Sequence, residues 1–248
     1  MRVLYFDCET SPSMAWVWST GKQYINHEQI LEPTRIICIG YKWEGQKHTE
    51  CLQWDEKQDD KKMLEEFSKV LEQADVAIGH NGQGFDIKHI NARLAYHSLP
   101  PAAPVTISDS LLLSRKKFKL ASHSLAYLCK YFKVSQKMST GGIGLWLQVW
   151  LEKDEKALKK MMNYCKNDVK ILEEIYLRLK PYLDTKHSVA TSKENVDMCP
   201  SCGSKAIHKH GVRMTSPLRK VQIYKCYKCC KQFRDGKNLL DIPSDYLR

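Results

Sequence analysis

Acidic residues in three separate stretches could act together as metal ligands. Two of them, Asp7 and Glu9, stand near the end of the apolar stretch Val3 to Thr10. Because side chains alternate along a β-strand, both carboxylates would project from the same face of this strand. Adjacent anions repel each other and strand interiors disfavour Asp, so a divalent cation between the carboxylates would explain the pair. The alternative is a strand that ends in a polar turn before Ser11.

A third carboxylate, Asp168, lies in the long helix predicted for residues Ala157 to Tyr182. It falls between Cys165 and Leu172 on the apolar stripe of that helix, where a carboxylate is costly unless it is paired or binds a metal. Tyr164 precedes Asp168 by one turn and shares its side of the helix. An ordinary core tyrosine is the alternative interpretation of Tyr164.

The fourth carboxylate, Asp86, follows the loop His80 to Phe85 and begins a predicted helix. Aspartate is common at helix starts because it caps the backbone and suits the helix dipole. For Asp86 taken alone, this structural explanation is stronger than a catalytic one.

These three stretches, in this order, resemble the motifs of the DEDD 3′–5′ exonucleases, which have the DnaQ-like, ribonuclease H-like fold. The matching pieces are Phe6-Asp7-Cys8-Glu9-Thr10, His80-Asn81-Gly82-Gln83-Gly84-Phe85-Asp86 and Tyr164-Cys165-Lys166-Asn167-Asp168. The last piece has the Tyr-x-x-x-Asp form of the tyrosine subgroup. Proofreading domains of family B DNA polymerases look similar, and the chain looks nearest to the YprB-like predicted nucleases. The resemblance covers about residues 1–183.

The resemblance implies phosphodiester hydrolysis with two Mg²⁺ or Mn²⁺ ions, hard cations that prefer oxygen ligands. In the family pattern Asp7 bridges both ions, while Glu9 and Asp168 hold the ion that activates water. Asp86 supports the second ion, directly or through water. Tyr164 orients the attacking water.

Two residues of the middle motif are expected to contact the substrate. The resemblance implies that Asn81 and Phe85 line the terminal nucleotide, with the Phe85 ring stacked on a base. A core anchor is the alternative role for Phe85.

Four of the ten cysteines have the spacing of a tetrahedral zinc site. They form two Cys-x-x-Cys pairs with 23 residues between the pairs, namely Cys199/Cys202 and Cys226/Cys229. The strand-like stretch Val221 to Tyr224 favours a zinc ribbon, whose folding would depend on one structural Zn²⁺ ion because so small a module has almost no core. Cys230 competes with Cys229 as the fourth ligand, and spacing favours Cys229.

Basic and aromatic side chains interleave around these cysteines, as expected for a surface that binds phosphates and stacks on bases. The net charge of the chain is +11, and from Lys186 onward 13 Lys and Arg stand against 5 Asp and Glu. This excess indicates a polyanionic partner such as nucleic acid, with a purely stabilising or protein-docking ribbon as the alternative. His208 and His210 are further potential ligands, but four cysteines already complete the set.

Length and composition favour an intracellular protein without membrane spans. The 248 residues are 43% hydrophobic, and no run approaches the roughly 20 apolar residues that span a bilayer. The first strand begins at once, which leaves no room for a signal peptide. Ten cysteines without such a signal indicate a reducing compartment, so we expect a cytoplasmic location.

Strands first, followed by mixed helices and strands, favour an α/β fold with a ribonuclease H-like mixed sheet flanked by helices. The predicted organisation is a nuclease domain at residues 1–185, a linker at 186–197, a zinc ribbon at 198–236 and a tail at 237–248. Four tryptophans are expected in the core or against the sheet: Trp16, Trp18, Trp43 and Trp54. Five cysteines without metal spacing are expected to be small buried hydrophobic residues: Cys8, Cys38, Cys51, Cys129 and Cys165.

The predicted function is a metal-dependent 3′–5′ exonuclease that acts on single-stranded DNA or RNA ends, with a zinc ribbon that helps to hold nucleic acid. Two alternatives follow from the same residues. One is a structure-selective endonuclease on the same fold. The other is a non-catalytic adaptor that binds nucleic acid or a replication protein.

Overall fold

The chain divides into two compact units, residues 1–176 and 177–248. The computed structural model describes residues 2–102, 104–135, 141–183, 198–216, 219–234 and 239–240. The predicted linker at 186–197 lies outside the described residues, as does the predicted tail at 237–248 apart from residues 239–240. In the part of the chain that the structure describes, no helix is both long and apolar enough to cross a membrane.

Unit 1 is built on a mixed five-stranded sheet with β1 at its centre, in the order β5-β4-β1-β6-β7. The strands are β1 (Val3–Thr10), β4 (Ile36–Trp43), β5 (Glu50–Gln53), β6 (Val76–Gly79) and β7 (Thr106–Asp109), and a separate hairpin contains β2 (Met14–Ala15) and β3 (Ile30–Glu32). Strand β4 runs antiparallel to β1, whereas β6 runs parallel to it. Together with the helices below, this sheet confirms the predicted α/β class.

Helices cover both faces of the sheet. Their bounds are α1 (Lys61–Leu71), α2 (Asp86–Tyr96), α3 (Ser110–Lys117), α4 (Leu125–Phe132), α5 (Gly144–Trp150) and α6 (Glu155–Leu179), with short 3₁₀ turns at His27–Gln29 and Lys180–Tyr182. Leu4, Phe6 and Cys8 of β1 pack with α1 and α2 on one face. Ile37 and Cys38 of β4 pack with α5 and α6 on the other face. The alternation predicted for β1 therefore sends its apolar side chains towards α1 and α2.

Two of the four tryptophan predictions are wrong. Trp54 is buried and Trp43 is half-buried, but Trp16 is 68% and Trp18 is 97% exposed. The two exposed rings belong to the hairpin of β2 and β3, which is separate from the central sheet. Met14 of β2 packs against the core that β4 forms with α5 and α6, whereas Trp16 and Trp18 follow β2 in the connection to β3 and extend into solvent.

Helix α3 forms without the pattern of apolar residues that predicts a helix. Its sequence, Ser-Leu-Leu-Leu-Ser-Arg-Lys-Lys, lacks the regular spacing of apolar residues that marks a surface helix. The helix begins nevertheless because Asp109 caps it, accepting hydrogen bonds from the backbone of Leu111 and Leu112.

Unit 2 contains an antiparallel three-stranded sheet in the order β10-β9-β8. The strands are β8 (Ile207–Ser216), β9 (Arg219–Cys226) and β10 (Gln232–Arg234). We refer to residues 198–234 as the cysteine module. Its buried cluster consists of two cysteines and Phe233, with Ile207 and Tyr224 partly buried against them. So few apolar residues cannot supply the burial that stabilises an ordinary domain.

Candidate active site

Three of the predicted acidic residues meet in one cluster. Asp7 and Glu9 project from β1, and Asp168 projects from α6. Each residue contributes one carboxylate oxygen, and these three oxygens all lie within 4.8 Å of one another. Asp168 is 3% exposed, whereas Asp7 and Glu9 are half-buried, so the cluster has a buried side and an open side.

The approach of α6 to the sheet depends on a glycine. Gly40 of β4 is the register partner of Asp7, and its amide donates a hydrogen bond to Cys165 Sγ at 3.2 Å. A Cβ atom on Gly40 would lie 2.9 Å from that sulfur and 3.2 Å from Cγ2 of Val169. Cys165 Sγ also lies 3.4 Å from the carbonyl oxygen of Asp7. The missing side chain thus lets α6 bring Asp168 close to Asp7.

Asp86 lies outside this cluster. It is 2% exposed at the start of α2, and its Oδ1 accepts a hydrogen bond of 2.9 Å from the backbone amide of Cys8. Burial raises the pKa of Asp86 to about 6, against the hydrogen bonds from Cys8, which lower it. The residue therefore holds the Asp7–Cys8 peptide of β1. It is the first residue of α2, where a carboxylate suits the helix dipole, but the N-cap of that helix is Phe85, which makes no side-chain capping hydrogen bond.

Asp109 is a site-shaping residue that the sequence interpretation missed. It is 7% exposed, and beyond capping α3 it accepts hydrogen bonds from the backbone amides of Asn81 at 3.1 Å and Gln83 at 3.2 Å. One buried carboxylate thus fixes both α3 and the loop that precedes Asp86. An aspartate directly before a helix is a detectable capping signal, but the helix itself was not recognised.

The two predicted substrate residues lie in or at the end of that loop. Asn81 adopts a left-handed backbone conformation with φ of 68°, which Asn tolerates better than most residues. Phe85 is 39% exposed, and its ring centroid lies 4.4 Å from that of His89. This exposure argues against the core-anchor alternative.

Tyr164 lies on α6 one turn before Asp168, as its spacing predicts. It is 8% exposed, and its ring contacts Trp146 of α5 edge to face, with centroids 6.2 Å apart. Trp146 therefore restricts the orientation of the Tyr164 ring beside the carboxylate cluster.

The three clustered carboxylates suit a hard divalent cation. Mg²⁺ binds oxygen ligands at about 2.0–2.1 Å, so its ligand oxygens stand about 3–4 Å apart. The present separations, all within 4.8 Å, need only small side-chain adjustments to reach that spacing. Three anions without a cation would instead repel one another.

The four cysteines of the cysteine module also converge, with their sulfurs all within 4.8 Å. Two pairs lie at 3.5 Å (Cys199/Cys229) and 3.6 Å (Cys202/Cys226). Tetrahedral Zn²⁺ with bonds of about 2.3 Å places its sulfurs about 3.8 Å apart, so this set fits zinc closely. Cys230 is exposed and lies outside the set, as do His208 and His210.

Comparisons with known proteins agree with this architecture. Residues 23–180 match the family model RNase_H_2, which is described as RNase_H superfamily. The structure is similar to the family B DNA polymerase from the hyperthermophilic archaeon Pyrobaculum calidifontis, with a TM-score of 0.55 and 17% sequence identity. That similarity covers 73% of this chain and 25% of the polymerase chain. No curated protein matches the sequence.

Proposed function

Since the chain belongs to the RNase H superfamily, we propose that it is a metal-dependent 3′–5′ exonuclease of the DEDD tyrosine subgroup, similar to the YprB-like nucleases. The convergence of Asp7, Glu9 and Asp168 from β1 and α6 carries this proposal. Carboxylates are rarely gathered in a cleft without a cation to hold or a proton to move. A nuclease-type function also accords with the structural similarity to a DNA polymerase.

Asp7, Glu9, Asp168 and Asp86 would hold two Mg²⁺ or Mn²⁺ ions, with Asp7 as a ligand shared by both. Such a pair of ions would supply Lewis acidity to the attacking and the leaving oxygen of the phosphodiester. Glu9 and Asp168 would hold the ion that activates water. Asp86 would support the second ion and, by accepting the hydrogen bond from the Cys8 amide, orients the strand that carries Asp7 and Glu9.

Tyr164 positions the attacking water. Its hydroxyl can both accept and donate a hydrogen bond, which suits a water molecule that must present a lone pair to phosphorus. The edge contact with Trp146 limits the rotation of the ring. A side chain held in one orientation lowers the entropy cost of reaching the reactive geometry.

Asn81 and Phe85 bind the terminal nucleotide in this proposal. The half-exposed Phe85 ring offers a stacking surface for a base, an interaction of about 1–3 kcal/mol that tolerates any sequence. The Asn81 and Gln83 amides donate hydrogen bonds to Asp109, and the Phe85 amide donates to the Asn81 carbonyl, so the loop that carries both residues is fixed. Stacking without base-edge contacts is the mode expected for an enzyme that removes nucleotides one after another.

A strand-degradation assay with matched variants tests the catalytic assignment. Purified full-length protein with Mg²⁺ or Mn²⁺ is given 5′-labelled single-stranded and duplex DNA and RNA. Asp7→Asn and Asp168→Asn should lower the rate by more than about 100-fold, the upper end for residues that only support a metal ligand. Glu66→Gln, an exposed change on α1, is the control. Near-normal activity in either Asp variant would refute the assignment.

The same assay separates exonuclease from endonuclease. An exonuclease shortens the labelled strand stepwise from its 3′ end and leaves circular single strands intact. A structure-selective endonuclease releases internal fragments and linearises circles. Absence of cleavage on every substrate, with retained nucleic-acid binding, would support the adaptor alternative.

The cysteine module assists nucleic-acid binding in this proposal, with one structural Zn²⁺ held by its four cysteines. Its exposed basic side chains include Lys205, Lys209, Arg213, Lys228 and Arg234. Tyr227 is 68% exposed among them and can stack on a base.

Salt dependence tests this binding role. Replacing Lys209 and Arg213 by Gln should reduce the slope of log Kd against log salt by about one per lost phosphate contact. Replacing Lys61 and Lys62 on α1 by Gln changes the net charge equally and is the control. Equal slopes for both double variants would show that the module does not contact the phosphates.

A further inference from the structure

Three cysteines without metal spacing in the sequence converge beside the carboxylate cluster. Cys38 lies on β4, Cys51 on β5 and Cys165 on α6, and their sulfurs all lie within 4.8 Å of one another. We call this set the thiol triad. Cys8 and Cys129, the other two cysteines of unit 1, are buried but belong to no such group among the described residues.

The backbone brings the triad together through the register of two strands. Gly40 pairs with Cys51, and Cys38 pairs with Gln53, so the two strand cysteines are diagonal neighbours on one face of the sheet. Gly40 stands between them without a side chain, and Cys165 fills the space above it. The triad is therefore a fixed feature of how α6 packs on β4 and β5.

The geometry points to a site for a thiophilic d¹⁰ cation such as Zn²⁺, Cd²⁺ or Cu⁺, and we propose that the thiol triad binds one. Trigonal coordination with metal–sulfur bonds of about 2.3 Å requires sulfurs about 4.0 Å apart. Contraction from the present spacing within 4.8 Å is small enough for rotation about the cysteine χ1 angles. Soft sulfur ligands select such cations over Mg²⁺, so the triad and the carboxylate cluster would not compete for the same ion.

Access also suits a cation. Cys51 is half-buried, whereas Cys38 and Cys165 are fully buried, so an ion can enter past Cys51.

Cadmium titration of the full-length chain tests the proposal. Wild-type protein should bind two Cd²⁺ ions, one in the cysteine module and one in the triad, counted from the ultraviolet thiolate-to-metal absorption. Cys51→Ser should bind only one, while Cys129→Ser, a buried cysteine outside the triad, should still bind two. One equivalent in wild-type protein, or two in Cys51→Ser, would overturn the site.

A second measurement needs no variant. Iodoacetamide alkylation followed by mass spectrometry should modify Cys51 in the metal-free chain, because it is the accessible member of the triad. A second equivalent of Cd²⁺, added after the first has filled the cysteine module, should protect Cys51 from alkylation. Unchanged alkylation of Cys51 in the presence of Cd²⁺ would contradict binding there, whatever the folding of the variants.

Discussion

The two units both gather potential metal ligands, but the surroundings of those ligands differ. In unit 1 the carboxylate cluster lies at one edge of a core with fully buried Phe6, Ile39, Phe67 and Ile78. In the described part of unit 2 the ligands make up much of the core, since Cys199 and Cys226 are buried with Phe233, and Val221 is also buried. The first unit should therefore fold without metal and use metal for chemistry, whereas the second should need metal to fold.

All six tryptophans lie in residues 16–150, so tryptophan fluorescence reports the unfolding of unit 1 alone. Thiolate-to-metal absorption of Cd²⁺-substituted protein reports the cysteine module. These two signals allow each unit to be followed in the intact chain.

The largest effect should come from Cys226→Ser, which removes a fully buried ligand of the module. Metal binding contributes about 10–16 kcal/mol to folding in small zinc modules, so β8 to β10 should lose their hydrogen-exchange protection. The fluorescence-detected unfolding of unit 1 should not change. Cys230→Ser, at the exposed neighbour, should leave both signals as in wild type. If both units unfolded in Cys226→Ser, the claim that only unit 2 needs metal to fold would be wrong.

Arg93→Met should have the next largest effect, confined to unit 1. Arg93 donates to fully buried Asp60 through Nε at 2.8 Å and an Nη at 2.9 Å. Removing the guanidinium leaves a buried carboxylate whose remaining hydrogen-bond partners are the His97 ring and the Ile36 amide, at a cost of about 3–5 kcal/mol. Denaturant titration followed by fluorescence measures the loss, with exposed Arg115→Met as the control. A loss below about 1 kcal/mol would mean that His97 compensates by itself.

Asp86→Asn should stabilise unit 1 at neutral pH. Burial raises the pKa of Asp86 from 3.8 to about 6, so the folded chain binds more protons than the unfolded chain between these values. The stability of the wild type consequently falls as pH rises from about 4 to about 6, by up to about 3 kcal/mol.

The neutral side chain in Asp86→Asn avoids the fall in stability that the ionisation of Asp86 causes in the wild type. Its advantage over wild type should be present at pH 7 and absent at pH 4, when unfolding is measured in metal-free protein at both pH values. Under the proposed function the same variant should also be less active. If the stability difference were independent of pH, the ionisation of Asp86 would not be its cause. Exposed Glu66→Gln should show no such trend.

Gly40→Ala should have the smallest effect on stability and a clear effect on the site. The new Cβ would meet Cys165 Sγ at 2.9 Å and the Cys165 carbonyl oxygen at 3.3 Å, so α6 must shift slightly. Overpacking of this kind costs about 1 kcal/mol, whereas a small misplacement of Asp168 can reduce the rate by about 10–100-fold. Gly144→Ala, where the added atom meets nothing within 4 Å, is the matched control. Equal rates for the two variants would show that α6 tolerates the shift.

Sequence patterns were sufficient to predict which side chains share one face of a single strand or helix. Alternation along β1 predicts that Asp7 and Glu9 share a face, and helical spacing predicts that Tyr164 and Asp168 do. The meeting of β1 and α6 cannot be derived from either element alone, and there the family resemblance supplied the expectation. The structure adds that Asp86 contacts backbone rather than the other three carboxylates.

The features that the sequence did not predict depend on which elements contact each other in the folded chain and which residues remain without such contacts. The thiol triad joins three elements whose cysteines show no regular spacing, so no local pattern could identify it. Trp16 and Trp18 are residues of a type usually found in a core, but they lie in the exposed connection that follows β2. Asp109 binds backbone amides of a distant loop, and every residue type except proline has such an amide, so the sequence gives no sign of this contact.

The hydrogen bond from the Cys8 amide to Asp86 connects the proposed nucleotide-binding loop to the strand that carries Asp7 and Glu9. The loop that presents Asn81 and Phe85 continues directly into α2, whose first residue is Asp86. The amide it grips belongs to the same peptide plane as the carbonyl of Asp7. Under the proposed function, a strand end that displaces this loop would also move α2, and the hydrogen bond from the Cys8 amide would tilt the Asp7–Cys8 peptide and shift the carboxylate of Asp7.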